Sequence, residues 1–124
     1  MKISGEVTTG LGKASYFLSQ DFYTENFIKR CGFKPYPGTL NIIIASDYLD
    51  EINTIKDDCE NIIEPENSFG SVKYIEAILN DNINGAIVFP AKTEHSENYL
   101  EFIAKENLRE KLNLKDGDTV SIEF

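Results

Sequence analysis

Two spacings of apolar residues alternate along this chain, and they predict its elements. Residues 2–9 set Ile3 and Val7 among polar neighbours, the pattern of a strand. Gly10 and Gly12 break it, and the apolar run Tyr16, Phe17, Leu18 suits a second strand. Residues 20–30 carry Phe22, Tyr23, Phe27 and Ile28 near helical spacing, with Gly32 as the expected C-cap. Lys34, Pro35, Tyr36, Pro37 and Gly38 form a stiff connector. Residues 39–44 follow as a β-branched strand, expected to be buried on both faces. Residues 47–66 read as acidic and irregular, with apolar pieces at Ile52, Ile55, Ile62 and Ile63.

The second half is more regular. Residues 71–79 alternate as a strand, residues 81–85 give a hairpin turn signal, and residues 85–89 return until Pro90. Residues 99–103 suit a strand or a short helix. Residues 106–112 predict a short helix with Leu108 and Leu112 on one face. Lys115, Asp116, Gly117 and Asp118 make a tight turn before a final strand at 119–124. About six strands and two short helices, with no βαβ series, predict a mainly β fold: a small closed barrel with inserted helices.

Composition narrows the function classes. The 124 residues predict one domain, 1–124, with 41% hydrophobic and 27% charged residues. A net charge of −9 argues against a nucleic-acid groove but leaves room for a single nucleotide at a local cluster of N–H groups. No apolar run reaches the roughly 20 residues of a membrane span, and the start has no signal-like apolar region, so a cytoplasmic protein is expected. Cys31 and Cys59 lack metal-ligand spacing and read as free thiols.

Two motifs carry candidate chemistry. Gly10, Leu11, Gly12, Lys13, Ala14 and Ser15 form a loop whose backbone N–H groups could cup phosphates, with Lys13 adding charge; Gly10 and Gly12 equally suit an ordinary hairpin turn. The loop lacks the spacing of a Walker A motif. Thr39 and Asn41, two residues apart on a strand, face one side. They could hold Mg²⁺ through neutral oxygens or be satisfied core polar groups. Thr93, His95 and Glu101 follow Pro90 in the loop after a strand, and Arg109 could bind a polyanion or sit in a surface ion-pair helix. A lone histidine gives no Ser-His-Asp or Cys-His arrangement.

In order, these pieces resemble the archaeal CTP-dependent riboflavin kinases over nearly the whole chain. The resemblance runs through Gly5-Glu6-Val7, Gly10-Leu11-Gly12, Tyr16-Phe17-Leu18, Gly32-Phe33-x-Pro35-Tyr36 and Gly38-Thr39-Leu40-Asn41. It continues through Gly85-Ala86-Ile87-Val88, Pro90-x-Lys92-Thr93-x-His95, Leu108-Arg109-Glu110 and Leu114-Lys115-Asp116-Gly117-Asp118. It implies a six-stranded cradle-loop β-barrel that transfers the γ-phosphate of CTP to the 5′-hydroxyl of riboflavin, giving FMN and CDP.

By the same resemblance, residues 10–15 and Glu106, Asn107, Leu108 and Arg109 hold the nucleotide. Thr39 and Asn41 bind Mg²⁺, and Thr93 and Glu101 contact the flavin. Glu101 is also the candidate to accept the hydroxyl proton. Ala14 and Ser15 depart from the family's glycine-richer loop, which bears on donor affinity more than on reaction type. The expected partners are riboflavin and CTP, with no nucleic acid or membrane, and a monomer is expected. The alternative is a non-catalytic flavin- or nucleotide-sensing barrel.

Overall fold

The computed structural model describes residues 1–10, 18, 20–64, 70–90 and 98–124. Among the described residues seven strands form one antiparallel sheet: β1 (Lys2–Thr8), β2 (Leu40–Ile44), β3 (Ile62–Ile63), β4 (Val72–Leu79), β5 (Ile83–Pro90), β6 (Tyr99–Ile103) and β7 (Thr119–Glu123). Six of them close a ring in the order β4-β5-β6-β2-β1-β7, because β7 pairs back onto β4 at Ile78↔Glu123 and Leu79↔Ile122. The seventh, β3, adds two residues to the other end of β4. The six-strand expectation therefore describes the closed ring.

Period-two alternation fills the interior. Ile3, Val7, Leu40, Ile42, Ile44, Leu79, Ile87, Leu100, Phe102, Val120 and Ile122 form one buried cluster. A second layer lies outside the barrel, where Val72, Tyr74, Ala86, Val88 and Ile103 meet helix α1 (Asp21–Cys31) through Tyr23 and Phe27. This layer explains the uneven burial of β4. Val72 and Tyr74 are buried outward under α1, whereas Ala77 and Leu79 are buried inward.

Several expectations change. Only Tyr23 and Phe27, one turn apart, are buried on α1; Phe22 and Ile28 are exposed because the layer is one stripe wide. Gly32 ends α1 at φ 79°, its N–H on the Ile28 carbonyl, as a C-cap should. Cys31 is half-buried. Leu18 is helical rather than extended; Tyr16 and Phe17 lie outside the described residues.

The acidic segment is largely regular over its described residues, 47–64. A 3₁₀ turn at Ser46–Tyr48 leads into α2 (Leu49–Asp58), which inserts Ile52 into the interior cluster. Its acidic residues mask that amphipathic pattern. Strand β2 is buried inward only, with Asn41 and Ile43 half-exposed outward among the described residues. The β4–β5 turn falls at 80–82, where Asn80 and Asp81 take positive φ. Gly85 is instead inside β5, opposite Ala77, with its Cα against the Phe102 ring and the Ile103 carbonyl. Residues 99–103 are a strand. The short helix is α3 (Leu108–Lys111), with Leu108 and Leu112 packed on the interior cluster.

Candidate active site

The site begins with strand register. Thr8 of β1 stands opposite Asn41, Asn41 opposite Glu101, Glu101 opposite Val88, and Val88 opposite Tyr74. Cross-strand partners share a face, so these five residues make one row across the outside of the barrel. The row changes character at Glu101: Val88 and Tyr74 belong to the layer under α1, while Asn41 and Thr8 are polar and partly open. Glu101 lies at that boundary, 7% exposed, in a position a carboxylate occupies only with partners.

One partner is Thr39, just ahead of β2, whose hydroxyl donates to Glu101 Oε1 at 3.4 Å. The Asn41 amide donates to the Thr39 carbonyl at 3.3 Å, which identifies Oδ1 as the atom that could turn to a cation. Gly10 packs against that same amide: a Cβ built on Gly10 would fall on the Asn41 side chain. The root of the glycine loop, the Thr39–Asn41 pair and Glu101 therefore come together. Sequence had set Glu101 apart from the other two.

A cleft of about 190 Å³ runs on from Thr39 between the 36–40 segment and residues 106–109. The Tyr36 N–H donates to the Ala104 carbonyl at 2.8 Å, and the Asn107 amide donates to the Tyr36 hydroxyl at 3.2 Å. Asn107 also caps α3 through Oδ1, which accepts from the Glu110 N–H. Leu108 is buried in the core, so only its backbone faces any ligand. Glu106 pairs with Lys111 at 2.8 Å, and that bond holds its carboxyl below the ordinary range.

Arg109 Nη2 donates to Asp116 Oδ1 at 2.6 Å and to the Thr8 carbonyl at 2.8 Å. The Thr9 hydroxyl donates to the other Asp116 oxygen at 2.7 Å. Arg109 first, then Thr9, hold the Asp116 carboxyl below its usual value. Of the two readings left open for Arg109, the structure shows the ion pair, which stands at the edge of the cleft.

Residues 7–124 match the family model for CTP-dependent riboflavin kinases, whose description reads "Domain of unknown function DUF120". The chain belongs to the CTP-dependent riboflavin kinase family. It is 70% identical to a protein named riboflavin kinase from Methanobrevibacter smithii, over the full length of both. A riboflavin kinase of Sulfurisphaera tokodaii is 45% identical over 99% of this chain and 94% of its own. One from Methanothermobacter thermautotrophicus is 41% identical over 94% and 93%.

Within the family frame, the described residues unite Gly10, Thr39, Asn41, Glu101 and residues 106–109. The expectations for Leu11, Gly12, Lys13, Ala14, Ser15, Thr93 and His95 lie outside the described residues. Among the described residues no group of three or more His, Cys, Asp or Glu side chains could hold a metal, and no helix is long and apolar enough to cross a membrane. Sequence reasoning missed Asp116 and Tyr36 as neighbours of the site. A signal for Asp116 existed. Asp118 satisfies the turn, its Oδ2 accepting from the Lys115 N–H at 2.8 Å, so Asp116, the first carboxylate of the Asp-Gly-Asp run, had no local purpose.

Proposed function

We propose that this chain is a single-domain, cytoplasmic, monomeric riboflavin kinase that uses CTP as phosphate donor. The observation that carries the reading is the meeting of Gly10, Thr39, Asn41 and Glu101 beside the cleft along residues 106–109. Hydroxyl and amide oxygens are hard neutral donors, and such a pair suits a Mg²⁺ ion whose negative ligands are phosphate oxygens. Thr39 and Asn41 would hold that ion. When bound, Mg²⁺ supplies positive charge against the phosphate oxygens.

The protein's own part is positioning and charge. Residues 10–15 cup the phosphates through backbone N–H groups, and residues 106–109 hold the nucleoside side. Thr93 and Glu101 orient riboflavin. The riboflavin 5′-oxygen attacks the γ-phosphorus, the bond from that phosphorus to the β–γ bridging oxygen breaks, and CDP leaves. The hydroxyl proton passes to Glu101 or to water.

The test is direct. Purified protein is incubated with riboflavin, Mg²⁺ and each nucleoside triphosphate in turn, and FMN is measured. FMN from CTP above all others supports the reading. Equal or better turnover with ATP overturns the donor assignment and leaves the kinase standing. No FMN from any donor leaves a flavin- or nucleotide-sensing barrel.

A further inference from the structure

We propose that Asp116 is a positioning residue for the nucleotide: through Arg109 and Thr9 it locks residues 106–109 onto the root of the glycine loop. The inference rests on the reading that these two segments hold the donor. Its geometry involves three pieces of chain. Asp116 Oδ1 accepts from Arg109 on α3, and Asp116 Oδ2 accepts from Thr9, the residue before Gly10. Arg109 Nη2 completes the triangle by donating to the Thr8 carbonyl at the end of β1.

Asp116 is itself held firmly. Its turn is fastened to β1 by Gly117 N–H to the Val7 carbonyl and Val7 N–H to the Asp118 carbonyl, both 2.8 Å. Gly117 takes φ 95°, which glycine permits without strain. The carboxylate therefore projects from a fixed platform, as a supporting residue must if it is to set the place of another side chain.

Two arguments favour positioning over other roles. Nη2 of Arg109 spends both hydrogens inside the protein, and its charge is balanced by Asp116, so this nitrogen serves the fold of the site rather than a phosphate. The pair is also solvent-exposed, 38% for Arg109 and 56% for Asp116, and exposed ion pairs add little to stability. What it fixes instead is the relative place of two ligand-holding segments 101 residues apart in sequence. Small errors in such placement weaken binding and turnover strongly.

The experiment compares wild type, Asp116→Asn, Asp116→Glu, Thr9→Val and Gly12→Val. It measures KM for CTP, riboflavin Kd and Tm. Asp116→Asn should raise the CTP KM roughly tenfold or more, with riboflavin Kd and Tm near wild type. Thr9→Val should raise it less, and Asp116→Glu, which keeps the charge, should recover part of the loss. An unchanged CTP KM in Asp116→Asn overturns the proposal. So does a lowered one, which would mean that the carboxylate merely repels the donor. A parallel fall in Tm with loss of both ligands would make the contact structural and also overturn it. Gly12→Val separates the underlying reading: if it leaves the CTP KM unchanged, the glycine loop is not the donor site. If Gly12→Val raises that KM and Asp116→Asn does not, only the positioning role fails.

Discussion

Thr39 donates its hydroxyl hydrogen to Glu101 Oε1, although 62 residues separate them. At 3.4 Å the bond is long for a hydroxyl and a carboxylate, so it can yield to a stronger partner. The contact exists because Asn41 and Glu101 are register partners, which puts the start of β2 beside the middle of β6. A residue assigned to a metal and a residue assigned to a flavin are therefore neighbours. Donor and acceptor chemistry would meet there.

Thr39→Ala and Asn41→Ala should each lower FMN formation by roughly 10²–10³-fold while riboflavin binding stays largely intact. Single-turnover assays beside flavin fluorescence titrations check this. Near-normal turnover in both variants would mean that the pair is only a satisfied polar contact on the barrel face.

Two glycine substitutions should fail differently. In Gly10→Ala the new methyl falls on the Asn41 amide, a side chain that can swing away. The expected result is an activity loss like that of Asn41→Ala with little change in Tm. In Gly85→Ala the methyl meets the Ile103 carbonyl and the Phe102 ring, which are fixed in the core. That variant should lose about 1–3 kcal/mol of stability by overpacking. Urea melts of the two variants together with turnover at low temperature distinguish the cases.

The ring was legible because its strands obey period two and its turns use glycine and asparagine. Three things were not. The acidic residues of α2 concealed the helical spacing of Leu49 and Ile52, which dock it on the interior cluster. The double layer on β4 shifted burial from one face to the other between Tyr74 and Ala77, which no single alternation predicts. The row joining Asn41 to Glu101 depends on register between strands far apart in sequence, and spacing along one strand carries no information about it. Residue types at Thr39, Asn41 and Glu101 were readable; their convergence was not.

Cys31 offers a pH test independent of the site. Burial first, then the nearby Glu76 charge, push its thiol up to about 11 from the ordinary 9.0. At pH 8 its thiolate fraction is on the order of one in a thousand, so alkylation by iodoacetamide should be slow in the native state. The raised value favours the protonated thiol in the fold. Its stabilising contribution is therefore complete below pH 9 and fades as pH rises through about 11. Wild type should lose stability relative to Cys31→Ala between pH 9 and about 11, measured by urea midpoints. A constant difference would show that the thiol is not perturbed by its surroundings.

Glu101→Gln separates the two roles open to that residue. The amide keeps the size and part of the hydrogen bonding, including acceptance from Thr39, but cannot take a proton. If Glu101 accepts the hydroxyl proton, kcat should fall roughly 10²-fold or more while riboflavin Kd hardly moves. If it anchors the flavin, Kd should rise and kcat at saturating flavin should stay near wild type. The boundary position of Glu101, almost closed to solvent beside Val88, favours the anchor, because a group held there orients a ligand well. A loose phosphoryl-transfer transition state also gains little from a base. The expected outcome is thus a Kd effect. Fluorescence quenching for Kd and single-turnover FMN formation for the chemical step decide between the roles, and a variant unchanged in both would remove Glu101 from the site.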